Sequence, residues 1–272
     1  MERELRRLAR AEARLDEEGR RIVAVPQRRA GLKALIVAAI VVAFGLALAS
    51  SIYTRTTGSP QPLGKSGSWT LAFDDEFDGT TIDRTKWPSI DGWRIANVTT
   101  RDANVSVSGG NAILKLVSSS EGAVIASKPF DGSGVGYTLP VGSFTEARIY
   151  FPGQDTTIYN WPAWWTSGPS WPAAGENDVA EGLGTMTVNY HSSSGVHNQG
   201  TIPGVWSNAF HTYGLYRGSD HAEVYFDGVL VKSYRTDDNG NGESLIVSIA
   251  AGHTAQIPSQ LLVDYVRAWR PR

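Results

Sequence analysis

Residues 222–234 read AEVYFDGVLVKSY, two runs of alternating apolar and polar residues joined by Asp227-Gly228. Alternation with period two sends successive side chains to opposite faces of a strand, and an Asp-Gly pair between two such runs suits the two-residue type I′ turn of a hairpin. The pattern continues outward in both directions. NVSVS (104–108), Gly109-Gly110-Asn111 and AILKLV (112–117) read as another hairpin, while FTEARIYF (144–151), TMTVNYH (185–191) and FHTYGLY (210–216) read as strands. Towards the C-terminus SLIVSIAA (244–251) and QLLVDYVRAW (260–269) do the same. After residue 55 no long run of helical period interrupts them, and no internal repeat is visible. Many strands in roughly 200 residues without helical crossovers predict an all-β chain, a two-sheet antiparallel β-sandwich or jelly roll.

Composition narrows the function. The 272 residues are 41% hydrophobic and 10% aromatic, enough for a substantial core and too apolar for a disordered chain. Zero cysteines leave neither a disulfide framework nor thiolate chemistry. Nine tryptophans all follow residue 68, and flat indole faces suit the axial C–H groups of sugar rings. Charge is uneven: residues 1–33 hold ten Lys/Arg and six Asp/Glu, net +4, whereas residues 55–272 hold fifteen and twenty-one, net −6. An acidic domain without a basic cluster is a poor nucleic-acid binder, and a neutral polymer suits it better than a sulfated one. No protein partner is expected.

Between Lys33 and Arg55 lie twenty-one consecutive uncharged residues, 34–54, beginning ALIVAAIVVAFGLALA. As a helix they would span about 31 Å, which matches a hydrocarbon core of about 30 Å. Arg20, Arg21, Arg28, Arg29 and Lys33 precede the run, so the positive-inside rule keeps the N-terminus cytoplasmic and exports the rest. The expected organisation is a basic cytoplasmic tail (1–33), a transmembrane signal anchor (34–54), a linker RTTGSPQPLGKSGS (55–68) and a folded domain from Trp69 to Arg272. The protein would then be single-pass in the cell membrane with its folded domain outside. The alternative is a cleaved signal peptide, with small residues at Ala47-Leu48-Ala49, and a secreted domain.

The densest acidic stretch is GENDVAEG (175–182), with Glu176, Asp178 and Glu181. On a regular strand 176 and 178 share a face and 181 falls on the other. A β-bulge near Val179 and Ala180 inserts the one extra residue that brings all three together. Crowded carboxylates cannot all ionise freely, and their repulsion raises some of the pKa values. Glycoside cleavage needs that inequality, with one carboxylate charged and another protonated. The spacing alone is unspecific, and a solvated acidic edge would share it. The flanks, WPAWW (161–165) before and TMTVNYH after, argue against such an edge.

Several segments in order resemble glycoside hydrolase family 16, the laminarinase-like group: WTLAFDDEFDGTTIDRTKW (69–87), FTEARIYFPG (144–153), WPAWW, ENDVAE, FHTYGLYR (210–217), VYFDG (224–228) and VDYVRAW (263–269). The resemblance covers about residues 66–272. It implies a jelly roll whose concave sheet forms an open cleft for a polysaccharide, and an endo-acting hydrolysis that retains anomeric configuration. The implied substrate is β-1,3- or mixed β-1,3/1,4-glucan. The family pattern E-x-D-x-x-E maps onto Glu176 as nucleophile, Asp178 as the residue that holds and tunes it, and Glu181 as general acid then base. Trp161 and Trp164 resemble the family's cleft tryptophans, and His191 a histidine that lines the site. Asn177 departs from the family, which usually has an aliphatic residue there. The chemistry requires no cofactor and no catalytic metal. Asp264 matches a position that in many members helps bind a structural calcium with backbone oxygens near Glu76. Two other functions fit the same fold, a non-catalytic carbohydrate-binding surface protein and a transglycosylase.

Overall fold

The computed structural model describes residues 59–130 and 133–272. The expected tail (1–33), the apolar run expected to span a membrane (34–54) and the first residues of the linker lie outside the described residues. Among the described residues no helix is long and apolar enough to cross a membrane.

Eighteen strands follow one another with no α-helix among the described residues. They are β1 Trp69–Asp75, β2 Arg94–Ile95, β3 Val98–Thr100, β4 Val105–Ser108, β5 Asn111–Leu116 and β6 Glu121–Ala126. Then come β7 Ser143–Tyr150, β8 Gly153–Gln154, β9 Thr157–Ile158, β10 Asn160–Ser167, β11 Glu176–Gly182 and β12 Met186–Ser192. The last six are β13 Gly195–Thr201, β14 His211–Arg217, β15 His221–Phe226, β16 Val229–Arg235, β17 Ser244–His253 and β18 Ser259–Pro271. The hairpin at 222–234 forms as its alternation predicts. Phe226 pairs with Val229, and Asp227 and Gly228 both take positive φ, 47° and 79°. A type I′ turn requires this at both central positions, which is why Asp-Gly suits it.

Two eight-stranded sheets make the sandwich. One runs β16-β15-β14-β7-β18-β5-β4, with β1 added alongside β18; the other runs β13-β12-β11-β10-β17-β6-β3-β2. Pairing is antiparallel except where β3 lies parallel to β6, a local departure from the predicted pattern. Side chains from the facing sheets meet in one main core that includes Leu114, Phe151, Trp164, Val179, Tyr190, Tyr213 and Val247. Trp164 lies fully buried there, its indole N–H donating to the Tyr213 carbonyl across the core at 3.2 Å.

The described part of the linker is fastened to the first sheet. The Trp269 indole N–H donates to the Pro60 carbonyl (2.7 Å), the Leu63 amide to the buried Glu146 carboxylate (2.9 Å), and Lys65 pairs with Glu223 (2.5 Å). Its Gly, Pro and Ser content signalled a lack of regular structure, which is true of it. Composition carries no record of these few backbone and side-chain contacts.

Candidate active site

The outer face of the second sheet carries a cavity of about 240 Å³. Trp161, Ala163 and Trp165 come to it from β10, Glu176, Asp178 and Glu181 from β11, His191 from β12 and Ser248 from β17. Loop residues Trp93 and Trp171 flank it.

The three acids share this face because β11 is bulged. Opposite β12, Asp178 faces Asn189 but Glu181 faces Thr187, so three steps on one strand answer two on the other. Opposite β10 the register skips Val179, which leaves Val179 as the inserted residue. Its isopropyl group is buried in the core, which gives the extra residue an apolar place to go.

The carboxylates are sharply different in surroundings. His191 Nε2 lies 3.1 Å from Asp178 Oδ2 and 3.5 Å from Glu176 Oε1, beside the cross-strand pair Glu176–His191. Glu181 accepts one hydrogen bond on each oxygen, from the Trp161 indole N–H (2.7 Å) and the Asn189 amide (2.5 Å). Asn189 is held in turn by the Asn198 amide at 2.7 Å. Burial first, then the neighbouring Asp178, pushes Glu176 up to about 8, with His191 opposing. Asp178 is also held well above the ordinary carboxylate range, by burial and then by Glu181. Both effects disfavour adding charge to a dry, already anionic cluster.

Of the residues singled out from sequence, Glu176, Asp178, Glu181, Trp161 and His191 meet in this cavity. Trp164 does not: it points between the sheets, and Trp165 takes the cleft position instead. The physical reason is strand parity, since 161, 163 and 165 project to one face and 164 to the other. Trp165 donates its N–H to Ser248 (3.1 Å) and stacks near Phe130 and Trp93, with centroids at 5.9 and 6.2 Å. Parity could have identified Trp165. Trp93 and Trp171 stand in loops, where no periodicity marks them, and Asn189 was hidden in a strand read only for its histidine.

Metal binding has two candidate places. One donor atom each from Glu176, Asp178 and His191 lies within 4.8 Å of the others, close enough to hold a single ion. At the calcium position implied by resemblance, Asp264 is paired with Arg148 (2.5 Å), and Glu76 receives a bidentate pair from Arg267 (2.6 and 2.8 Å). A calcium ion there would compete with the Arg148 guanidinium for the Asp264 carboxylate, whose Oδ2 it engages, while the Arg267 pair occupies the Glu76 side chain and not the backbone oxygens.

No protein-family model matches the chain. It is 26% identical to a glucan endo-1,3-beta-glucosidase of Niallia circulans over 74% of this chain and 38% of that one. It is 25% identical to a keratan-sulfate endo-1,4-beta-galactosidase of Sphingobacterium multivorum over 74% and 55%. The chain therefore spans about 38 to 55% of the length of these curated relatives. Among solved structures it superposes on SCLam, a non-specific endo-beta-1,3(4)-glucanase from family 16, with a TM-score of 0.62, 20% identity, and 79% and 95% of the two chains covered. With its sequence motifs, its two sheets and a bulged acidic strand on the outer face, this domain shares the fold of glycoside hydrolase family 16.

Proposed function

We propose that this protein is an endo-acting, configuration-retaining glycoside hydrolase that cuts internal β-linkages of a glucan, β-1,3 or mixed β-1,3/1,4. The observation that carries the reading is the bulge at Val179, which gathers Glu176, Asp178 and Glu181 on the floor of a tryptophan-lined cleft. Strands of the first sheet are bulged as well, at β1–β18, β15–β16 and β7–β18, so it is the three acids that this bulge brings together, and not its presence, that points to function. The endo-glycosidase names of the curated relatives support the reaction class.

In this reading Glu176 attacks the anomeric carbon while Glu181 protonates the departing glycosidic oxygen. The covalent glycosyl-enzyme is then hydrolysed by a water that Glu181 deprotonates, so that two inversions restore the configuration. Asp178 and His191 hold the nucleophile from the side. Trp161, Trp165 and Trp171 offer indole faces for sugar rings on either side of the broken bond. The domain would work outside the cell, tethered through residues 34–54, where a long polymer can reach an open sheet face. Passing the glycosyl unit to a sugar in place of water would make the same intermediate a transglycosylation step.

Product analysis on linear β-1,3-glucan, mixed-linkage glucan and galactan tests the proposal. Oligosaccharides of several sizes should appear early from a glucan. Release of monosaccharide alone would contradict the open cleft, and no cleavage of any of the three would favour a carbohydrate-binding protein without catalysis.

A further inference from the structure

Behind the acidic strand, on the face away from the cleft, lies a buried polar network. Asn177 stands between Glu176 and Asp178 and points the other way, fully buried. Its amide N–H donates to Glu243 Oε2 (3.0 Å), and its carbonyl accepts from the Tyr234 hydroxyl (3.0 Å). The same Glu243 oxygen accepts from the Thr166 hydroxyl at 2.5 Å, and Thr166 is the cross-strand partner of Asn177 on β10. One carboxylate oxygen therefore staples β10 and β11 together directly behind Glu176 and Asp178. The other oxygen lies 2.9 Å from Arg217 Nε, on β14 of the opposite sheet, and Arg217 continues to Asp238 (2.9 Å) and the Leu139 carbonyl (3.2 Å). Both Glu243 and Arg217 are completely buried. Gly175, with φ of +80°, enters β11 so close to this cluster that a Cβ would stand 2.7 Å from Asp238 Cβ and 3.0 Å from Glu243 Oε1.

An apolar side chain at 177 would fill this space without directionality. A hydrogen-bonded amide against a paired charge is directional, because a slip of β11 by one residue would leave Glu243, Thr166 and Tyr234 without their partner. That matters at a bulge. The extra residue at Val179 could be taken up one position earlier, which would turn Asp178 away from the cleft. Resting on the proposed hydrolase reading, we propose that Asn177 and Glu243 are positioning residues that lock the register of β11 ahead of its bulge and so aim Glu176 and Asp178 into the cleft.

The experiment compares Asn177→Leu and Glu243→Gln with wild type by three readouts: glucan kinetics, melting temperature, and cross-strand NMR contacts between β11 and β12. Asn177→Leu should fold, keep KM within about threefold and lose kcat by about a hundredfold, the scale expected for misplacing reacting groups by an ångström. Asn177→Gln, which keeps the amide, should recover more of kcat than Asn177→Leu does. In wild type β11 pairs with β12 through Asp178–Asn189 and Glu181–Thr187, and a slip of the bulge would break the first of these contacts and keep the second. Variants whose kcat per folded molecule matches wild type, or whose Asp178–Asn189 contact is intact, would overturn the proposal and leave the network a matter of packing. Should Glu243→Gln fail to fold, Asn177→Leu carries the test alone. Should wild type cut no glycan, the hydrolase reading fails, while the cross-strand NMR contacts still decide whether the network sets the register of β11.

Discussion

Glu176 and Glu181 share a face of one strand, but one rests beside Asp178 and His191 and the other between two N–H donors. This asymmetry makes the proposed roles separable, and it loads the proton on Glu176, which as the proposed nucleophile has to lose it before attack. Replacing Glu181 with Ala should leave a protein that reacts with a substrate whose leaving group needs no protonation and then stalls. Azide should restore turnover there and give a glycosyl azide of retained β configuration. Replacing Glu176 with Ala should cost several orders of magnitude, and azide should then give the α product, since the anion takes the place of the carboxylate. The opposite stereochemistry would exchange the two roles. The pH dependence is a second check. As the proposed nucleophile Glu176 would have to ionise to attack, and it is pushed up to about 8, so the acidic limb of kcat/KM should lie far above the ordinary carboxylate range. A limb near 8 on the alkaline side would make Glu176 the acid instead. Stability follows the same group with a definite sign. The folded state holds this proton more tightly than the unfolded value of 4.5, so its stabilising contribution is full below 4.5 and is lost as pH rises through about 8. Glu176→Gln should therefore melt higher than wild type at pH 9, by about 2–4 °C for each ~1 kcal/mol, and the gap should close at pH 5.

At the scale of a strand, β10 separates two tryptophans that a sequence motif puts together. Trp164 is core, with no exposed surface and its N–H on a carbonyl of the facing sheet, whereas Trp161 is cleft, with its N–H on Glu181. Trp164→Ala should cost about 3–5 kcal/mol of folding stability, measurable by denaturant titration, because it removes a buried indole and leaves a cavity. Trp161→Ala should change stability far less, and should lower kcat/KM through loss of both a ring face and a hydrogen bond that orients Glu181. Equal stability losses for the two would mean that the faces have been misassigned. The strand β11 follows the same logic, with Val179 and Asn177 inward and the acids outward, and the bulge restores parity after Val179.

On the scale of the whole molecule the acidic, cleft-bearing domain is preceded by a basic tail and an apolar run of bilayer length. If that run is a retained anchor, protease added to intact cells should release a soluble fragment of about residues 55–272 and leave the tail inside. A mature N-terminus at Ser50 would instead establish a cleaved signal peptide. The fragment's first residues matter for its yield. Pro60, Leu63 and Lys65 are bound to Trp269, Glu146 and Glu223, so cleavage after Lys65 should give a domain that melts lower than cleavage before Ser59.

Alternation, turn residues and the absence of helical period were enough to specify strands and a sandwich, because period-two burial is written locally in each segment. The acidic triplet and its bulge were legible for the same reason: parity is a count along the chain. Trp165 was within reach of that count, although the motif drew notice to Trp164. What no local count could supply was contact between distant segments. Glu243 and Arg217 stand 66 and 40 positions from Asn177, yet they meet behind it only because the sheets fold face to face. Trp93 and Trp171 reach the cleft from loops whose course depends on what they pack against. The shift of Glu176 to about 8 also belongs to the folded state, since burial is its largest cause and burial exists only once the two sheets have closed.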